Sequence, residues 1–225
     1  MVNKTKDEQY SYMFSDDYDP VRLGKVAYAR WRKDPKSLLF TLSRYKFVSK
    51  LLQNKNEVLE LGCGDGWSSQ VVAQAVNQLT LSDYDESFLN EAKYNIMNSD
   101  LSNVSFLLHD CVNDRLAKKY DAIYSLDVIE HIEPDSVDKF INCTKNSLRN
   151  AGLFICGLPT QVSQDLIHPM NRDPGHINCM NELELRELLG RHFANSFIFG
   201  MTDEIVHTGS PNLSYYMFGI GIHVE

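Results

Sequence analysis

Between residues 55 and 160 short apolar runs alternate with helix-like segments, and this alternation restricts the fold more than any other feature of the chain. "EVLELG" (57–62) precedes the helical stretch "WSSQVVAQAV", and "QLTLSD" (78–83) precedes "ESFLNEAKYNIM". "VSFLLHD" (104–110) and "YDAIYSLD" (120–127) follow. Then come "PDSVDKFINCTKNSLRN", predicted as a helix ending near Gly152, and a fifth strand, "GLFICGL" (152–158). Short apolar strands separated by helices form a mostly parallel, doubly wound α/β sheet, joined by right-handed crossovers. The tail breaks the pattern. After the helix "NELELRELLGRHF", the runs "NSFIFG" and "SYYMFGIGIH" have no helix between them, only the loop "MTDEIVHTGSPN". Strands joined without a crossover are antiparallel.

Ahead of the sheet, "DPKSLLFTLSRYKFVSKLL" repeats apolar residues at helical spacing: Leu38, Leu39, Leu42, Tyr45, Val48 or Phe47, Leu51 and Leu52. Pro35 suits the first turn. This amphipathic helix is predicted to pack on the sheet as part of an N-terminal cap (1–54) in front of a core at 55–225, all within one domain. Tyr10, Tyr12, Phe14 and Tyr18 either cover a cleft or dock the N-terminal arm, docking being the plainer reading. The segment at about 159–180, which includes "HPMNRDPGHIN", is rich in turn residues and reads as a lid.

Charge and cysteine usage narrow the function classes. The net charge is −8, and no basic stripe of the kind that tracks a duplex appears, so nucleic acid is unsupported as a partner. The densest basic stretch, "RWRKDPK" (30–36), also carries an aspartate and a proline and reads as a solvated turn. Five cysteines, an odd number without a CxxC pair, fit neither a disulfide framework nor a zinc site. "MVNKTKDEQY" lacks the apolar centre of a signal peptide, and no run approaches the roughly 18 apolar residues of a membrane span. A reduced, cytoplasmic, soluble protein is expected, of unspecified oligomeric state.

In a doubly wound sheet, ligands bind at the carboxyl ends of the strands. "VLELGCGDGWSS" (58–69) lies there, with Gly62, Gly64 and Gly66 at alternate positions. The dinucleotide fingerprint is GxGxxG, and its helix N-terminus receives a pyrophosphate. Here the spacing is GxGxG followed by the bulky Trp67. Glu60 is awkward beside phosphates but favourable near a cation, and S-adenosylmethionine carries both a sulfonium and an ammonium. Spacing and charge therefore favour S-adenosylmethionine over a nicotinamide dinucleotide.

"VLELGCGDG", the acidic end of "LSDYD", "LLHDC" and "YDAIYSLDVIEHI", in this order, resemble the class I S-adenosylmethionine-dependent methyltransferases. The likeness covers roughly residues 55 to 160 and is nearest to the broad bacterial group that methylates small molecules and glycan precursors. It implies a seven-stranded Rossmann-like sheet whose last strand is inserted antiparallel beside the fifth. It also implies that Gly62, Cys63, Gly64 and Gly66 line the methionine portion of the cofactor, with Glu60 shaping that pocket. Asp83 would bind the ribose hydroxyls, and Tyr84 would pack on the adenine. Asp110 would accept from the adenine amino group (or else cap a helix), with the Cys111 N–H facing a ring nitrogen. Leu126 and Asp127 would border the cofactor, Asp127 facing its amino group.

Methyl transfer from a sulfonium is a displacement in which the protein chiefly aligns the reactants, but a hydroxyl acceptor must also lose a proton. His131, just after the fourth strand, is the candidate base, with Glu130 either orienting it or sitting on the helix side. His168, His176 and His207 fall in the two late loops, and His176 is the further catalytic candidate. A mixed carboxylate–imidazole metal site built from Asp127, Glu130, His131 and His176 is a minor alternative. Its spacing has no metal-site signature, and no metal is expected. Arg30 and Arg44 could greet an anionic acceptor. Transfer of a methyl group to oxygen of a small molecule or glycan precursor is the expected activity. A nicotinamide-dependent oxidoreductase or a non-catalytic cofactor-binding scaffold are the alternatives.

Overall fold

The computed structural model describes residues 22–224. The aromatic residues Tyr10, Tyr12, Phe14 and Tyr18 lie outside the described residues. Two helices, α1 (Lys25–Lys33) and α2 (Pro35–Leu51), lead into an eight-stranded sheet. Its strands are β1 (Glu57–Leu61), β2 (Gln78–Asp83), β3 (Val104–Leu108), β4 (Tyr120–Leu126), β5 (Leu148–Pro159), β6 (Asn195–Thr202), β7 (Ile205–His207) and β8 (Tyr216–Ile222). Between them lie α3 (Gln70–Ala73), α4 (Glu86–Met97), α5 (Pro134–Asn146), α6 (Gln161–Leu166) and α7 (Glu182–His192). The strand order is β3-β2-β1-β4-β5-β8-β6-β7. The first five strands are parallel, β8 is antiparallel to β5, and β6 and β7 continue the antiparallel edge.

Period-two alternation along β1 sends successive side chains to opposite faces. Val58 belongs to the core shared with Val48, Leu52 and Leu89, while Leu59 and Leu61 belong to the core shared with Phe140, Ile141 and Leu189. Glu60 has the parity of Val58, so its carboxylate is delivered to the face covered by α2. All five cysteines are free thiols. Among the described residues no helix is long and apolar enough to cross a membrane.

The sheet has eight strands, not seven. The extra one, β7, lies inside the segment predicted to be a loop. Asp203, at φ +52°, and Glu204 form a two-residue turn that returns Ile205 beside Thr202, closing a hairpin. The helix predicted over "WSSQVVAQAV" is reduced to the single turn α3. Its carbonyl end is closed by the Asn103 side-chain amide, which donates to the carbonyls of Ala73 and Val76 at 2.8 and 3.0 Å. α5 stops at Asn146, because Leu148 pairs with Tyr120 and is fully buried, so β5 begins there and reaches its main register through a bulge around Ala151 (φ +58°). On α2 the buried positions are Leu38, Thr41, Tyr45, Val48 and Ser49, whereas Leu39 and Leu51 face solvent.

"RWRKDPK" is solvated from Trp31 to Lys36, but it is helical on both sides of the turn. It is the last turn of α1 and the first of α2, with Asp34 as N-cap accepting from the Lys36 N–H at 3.0 Å. Arg30 points inward, donating to Thr41 Oγ1 at 2.6 Å and to Asp127 Oδ2 at 3.3 Å.

Candidate active site

A cleft of about 680 Å³ opens at the carboxyl ends of β1, β2, β3 and β4, within the size range of small-molecule sites. From the loop after β1, Gly62, Cys63 and Gly64 line it. The ends of β2 and β3 contribute Asp83, Tyr84, Asp110 and Cys111, and the end of β4 contributes Leu126, Asp127 and His131. Glu60, Gly66, Glu130 and His176 are not part of this lining.

The glycines act differently. All three have positive φ, at +75°, +54° and +63°, a conformation that only glycine adopts without strain. A Cβ on Gly62 would stand 2.5 Å from Val128 Cγ2, and one on Gly66 would stand 2.8 Å from Ala92 Cβ. Those two let the loop press against β4 and α4. At Gly64 a Cβ would meet nothing, so the bare backbone faces open space.

Asp83, almost fully buried, ties this loop to β2. Its Oδ2 accepts from the Gly64 N–H at 2.9 Å and its Oδ1 from the Asp85 N–H at 3.0 Å. Each oxygen keeps a lone pair for a ligand. Tyr84 is 76% exposed and presents an open ring face. The Asp110 carboxylate closes the turn that follows it, accepting from the Val112 and Asn113 N–H groups and from the Asn113 amide. The Asn113 side chain, against a smaller effect of burial, holds that carboxyl below its ordinary pKa. Asp110 therefore caps a turn and not a helix. Burial pushes the Cys111 thiol up to about 12, keeping it uncharged.

Glu60 lies beneath the cleft, fully buried. Tyr45 Oη donates to Oε1 at 2.8 Å and Tyr124 Oη to Oε2 at 2.7 Å. Burial raises its pKa to about 7 despite these hydrogen bonds. Tyr45 itself reaches the cleft. Glu60 thus acts on the pocket through a tyrosine.

The cap is pinned over the cleft by two carboxylates. Asp65, inside "GCGDG", accepts from the Val26 and Ala27 N–H groups at 2.7 and 3.4 Å, serving as an N-cap for α1 supplied from 39 and 38 residues away. Asp127, itself at φ +57°, accepts from Arg44 Nη1 at 3.0 and 2.8 Å and from Arg30. Burial works to raise the Asp127 pKa, but the Arg44 and Arg30 charges outweigh it and hold the carboxyl below its usual range. Arg44 also stands 3.8 Å over the Tyr216 ring. Neither Asp65 nor this pairing is visible in the sequence, where α1 and α2 lack any ligand motif. His109, buried at the cleft wall, is another lining residue that the motif "LLHDC" contains but does not mark as functional.

At the other end of the cleft, Glu130 and His131 sit on the one-turn 3-10 helix Ile129–His131. The predicted lid segment is tied to this turn. The Glu130 carbonyl accepts from the Ile177 and Asn178 N–H groups at 2.9 and 3.0 Å, and His131 Nδ1 lies 2.9 Å from the Gly175 carbonyl. A carbonyl only accepts, so Nδ1 carries the proton and Nε2 the lone pair. His176 packs edge-on against His131 with ring centroids 4.9 Å apart. Burial and the neighbouring His131 lower the His176 pKa. His168 is exposed and caps the turn Pro169–Asn171. His207 lies in β7 at the far edge of the sheet, not in a loop beside the cleft.

A family model described as a methyltransferase domain matches residues 58–152. A probable S-adenosylmethionine-dependent methyltransferase of Mycolicibacterium smegmatis is 26% identical over 152 residues, covering 65% of this chain and 56% of that protein. The chain thus spans little more than half the length of the relative it matches. Among solved structures, the methyltransferase domain of bacterial CtHen1-C aligns with a TM-score of 0.66 at 19% identity, covering 83% of this chain and all of that one. Magnesium protoporphyrin IX methyltransferase from Synechocystis, with bound S-adenosylhomocysteine, aligns at 0.64 and 18% identity, covering 89% and 95% of the two chains.

Proposed function

We propose that this chain is a class I S-adenosylmethionine-dependent methyltransferase, that its cleft binds S-adenosylmethionine and that the methyl group goes to an oxygen of a small molecule or glycan precursor. The observation that carries the reading is the pairing of Asp83 with the Gly64 N–H. It places a carboxylate with spare lone pairs beside a side-chain-free loop at the switch of the sheet. In this reading Asp83 takes the ribose hydroxyls and Tyr84 the adenine, while Gly62, Cys63 and Gly64 follow the methionine portion.

The acceptor oxygen attacks the methyl carbon, and the carbon–sulfur bond breaks with its electron pair going to sulfur. The protein's share is alignment within a confined cleft and handling of the acceptor hydroxyl. His131 is the residue that engages that hydroxyl, because it lines the cleft with its Nδ1–H already committed to the lid segment. Glu130 and His176 stand behind it. A nicotinamide reading is disfavoured by the Gly62 to Gly66 spacing, and the net charge of −8 lends no support to an extended nucleic acid as the acceptor.

Calorimetric titration should give saturable binding of S-adenosylmethionine and none of NADH; the opposite preference would sink the reading. Labelled methyl transfer to a panel of sugar nucleotides, phosphorylated acids and phenols would then identify the acceptor class. Hydrogen bonds to a charged group are worth roughly 1.5–3 kcal/mol, so Asp83→Ala should weaken cofactor binding by at least about tenfold. Unchanged affinity in that variant would remove Asp83 from the ribose.

A further inference from the structure

We infer that Glu130, His131 and His176 form a binding site for one divalent first-row metal cation behind the stretch of cleft wall that His131 lines. The three residues offer ligand atoms that all lie within 4.8 Å of one another. Ligands about 2.1 Å from an ion span at most about 4.2 Å, so side-chain shifts of under roughly 1 Å would bring the trio onto one centre.

Three further observations point to an ion. The Glu130 side chain is fully buried, yet neither of its carboxyl oxygens has a hydrogen-bond partner. Buried polar atoms are overwhelmingly paired, and an unpaired carboxyl is among the costliest exceptions.

The two imidazoles are also arranged as ligands are. His131 Nδ1 is held by the Gly175 carbonyl at 2.9 Å, and His176 Nδ1 lies 3.1 Å from Gln164 Oε1. Both rings therefore have a proton fixed on Nδ1 and a lone pair on Nε2. Metal-bound histidines are oriented in the same way by their outer partners. Asp173 Oδ2 is 3.9 Å from His176 Nε2, beyond hydrogen-bond reach, so that lone pair is unspent. Finally, the backbone bonds from Ile177 and Asn178 to the Glu130 carbonyl fasten the segment bearing His176 to the turn bearing the other two groups. Asp127 is not a member, because its carboxylate is committed to Arg44 and Arg30.

Two imidazoles and one carboxylate suit Mn²⁺, Fe²⁺, Co²⁺ or Zn²⁺ and leave coordination positions open. The ion's role, unlike its binding, rests on the methyl-transfer reading. An acceptor hydroxyl on an open position becomes more acidic and releases its proton to water at the cleft mouth. The resulting oxygen forms the new bond to the methyl carbon as the carbon–sulfur bond breaks, giving a methyl ether and S-adenosylhomocysteine. His131 then engages the acceptor through the ion and not as a free base.

The test uses the full chain after chelator treatment, titrated with Mn²⁺ followed by electron paramagnetic resonance and with Zn²⁺ by calorimetry. One ion per chain is expected. Glu130→Gln and His176→Ala should each weaken it at least about tenfold, while His168→Ala leaves it unchanged. No stoichiometric ion, or equal binding in both ligand variants, would overturn the site. Should Glu130→Gln fail to fold, His176→Ala, on a partly exposed loop, decides the matter. S-adenosylmethionine is titrated into the same samples. Ion binding without cofactor binding would remove the methyl-transfer reading and keep the site, and the reverse would remove the site alone.

Discussion

Asp127→Asn is expected to lower the melting temperature by roughly 5 °C, following from a loss of about 2 kcal/mol when one partner of a half-buried ion pair is removed. Asparagine keeps the shape of the side chain and tolerates the φ of +57° that position 127 requires, so the variant isolates the charge. What it leaves behind is the Arg44 guanidinium, enclosed between α2 and the sheet, stacked on Tyr216, with its Nε already lacking a partner. Arg30 loses its inner anchor in the same change. The double variant Arg44→Met with Asp127→Asn should recover part of the loss, since it removes the guanidinium left without its counter-charge. Thermal and urea melts of the two single variants and the double variant form a cycle that reads the coupling. A shift of under about 0.5 kcal/mol in Asp127→Asn would show that the pair is solvated like a surface salt bridge. Since Asp127 lines the cleft, the same change should also weaken S-adenosylmethionine binding, by freeing α1 and α2 from the rim.

Much of this architecture can be read from the chain, for definable reasons. The first five strands follow from alternation and the antiparallel return of β8 from the missing crossover helix, because both are local patterns. The short β7 is not legible. Its turn is made by Asp203 and Glu204 without the Asn-Gly or Asp-Gly pair that marks a tight hairpin. Leu148 reads as the end of a helix because its helical spacing is satisfactory, and only the cross-strand partner Tyr120 makes it a strand residue. The site divides in the same way. Strand ends locate the cleft, so residues such as Asp83 and His131 can be nominated from motif order. Asp65 and Arg30 act across 38 to 97 residues, and no window of sequence contains both partners. Nor can sequence reveal that both Glu130 oxygens lack partners while both Glu60 oxygens are satisfied.

The contrast between those two glutamates gives the second large expectation. Stability should fall as pH rises from 5 to 8.5, and Glu60→Gln should flatten that fall. The folded-state pKa of Glu60 is about 7, against 4.5 for the ordinary group. The folded chain therefore prefers the protonated acid. That preference contributes fully below pH 4.5 and is lost as pH rises through 7. The difference corresponds to roughly 3 kcal/mol between the two ends. Glutamine preserves the volume and offers a carbonyl to one tyrosine and N–H groups to the other, so Tyr45 and Tyr124 keep partners at every pH. Urea midpoints measured in steps across this range for both proteins would read the slope directly, and equal slopes would show that Glu60 does not carry it. Because the Tyr45 hydroxyl rests on Glu60 while its ring faces the cleft, ionisation beneath the pocket is felt at its wall. In the proposed reading, the carboxyl that the sequence places beside a cationic ligand would act on it through a tyrosine, from the apolar face to which strand parity assigns it.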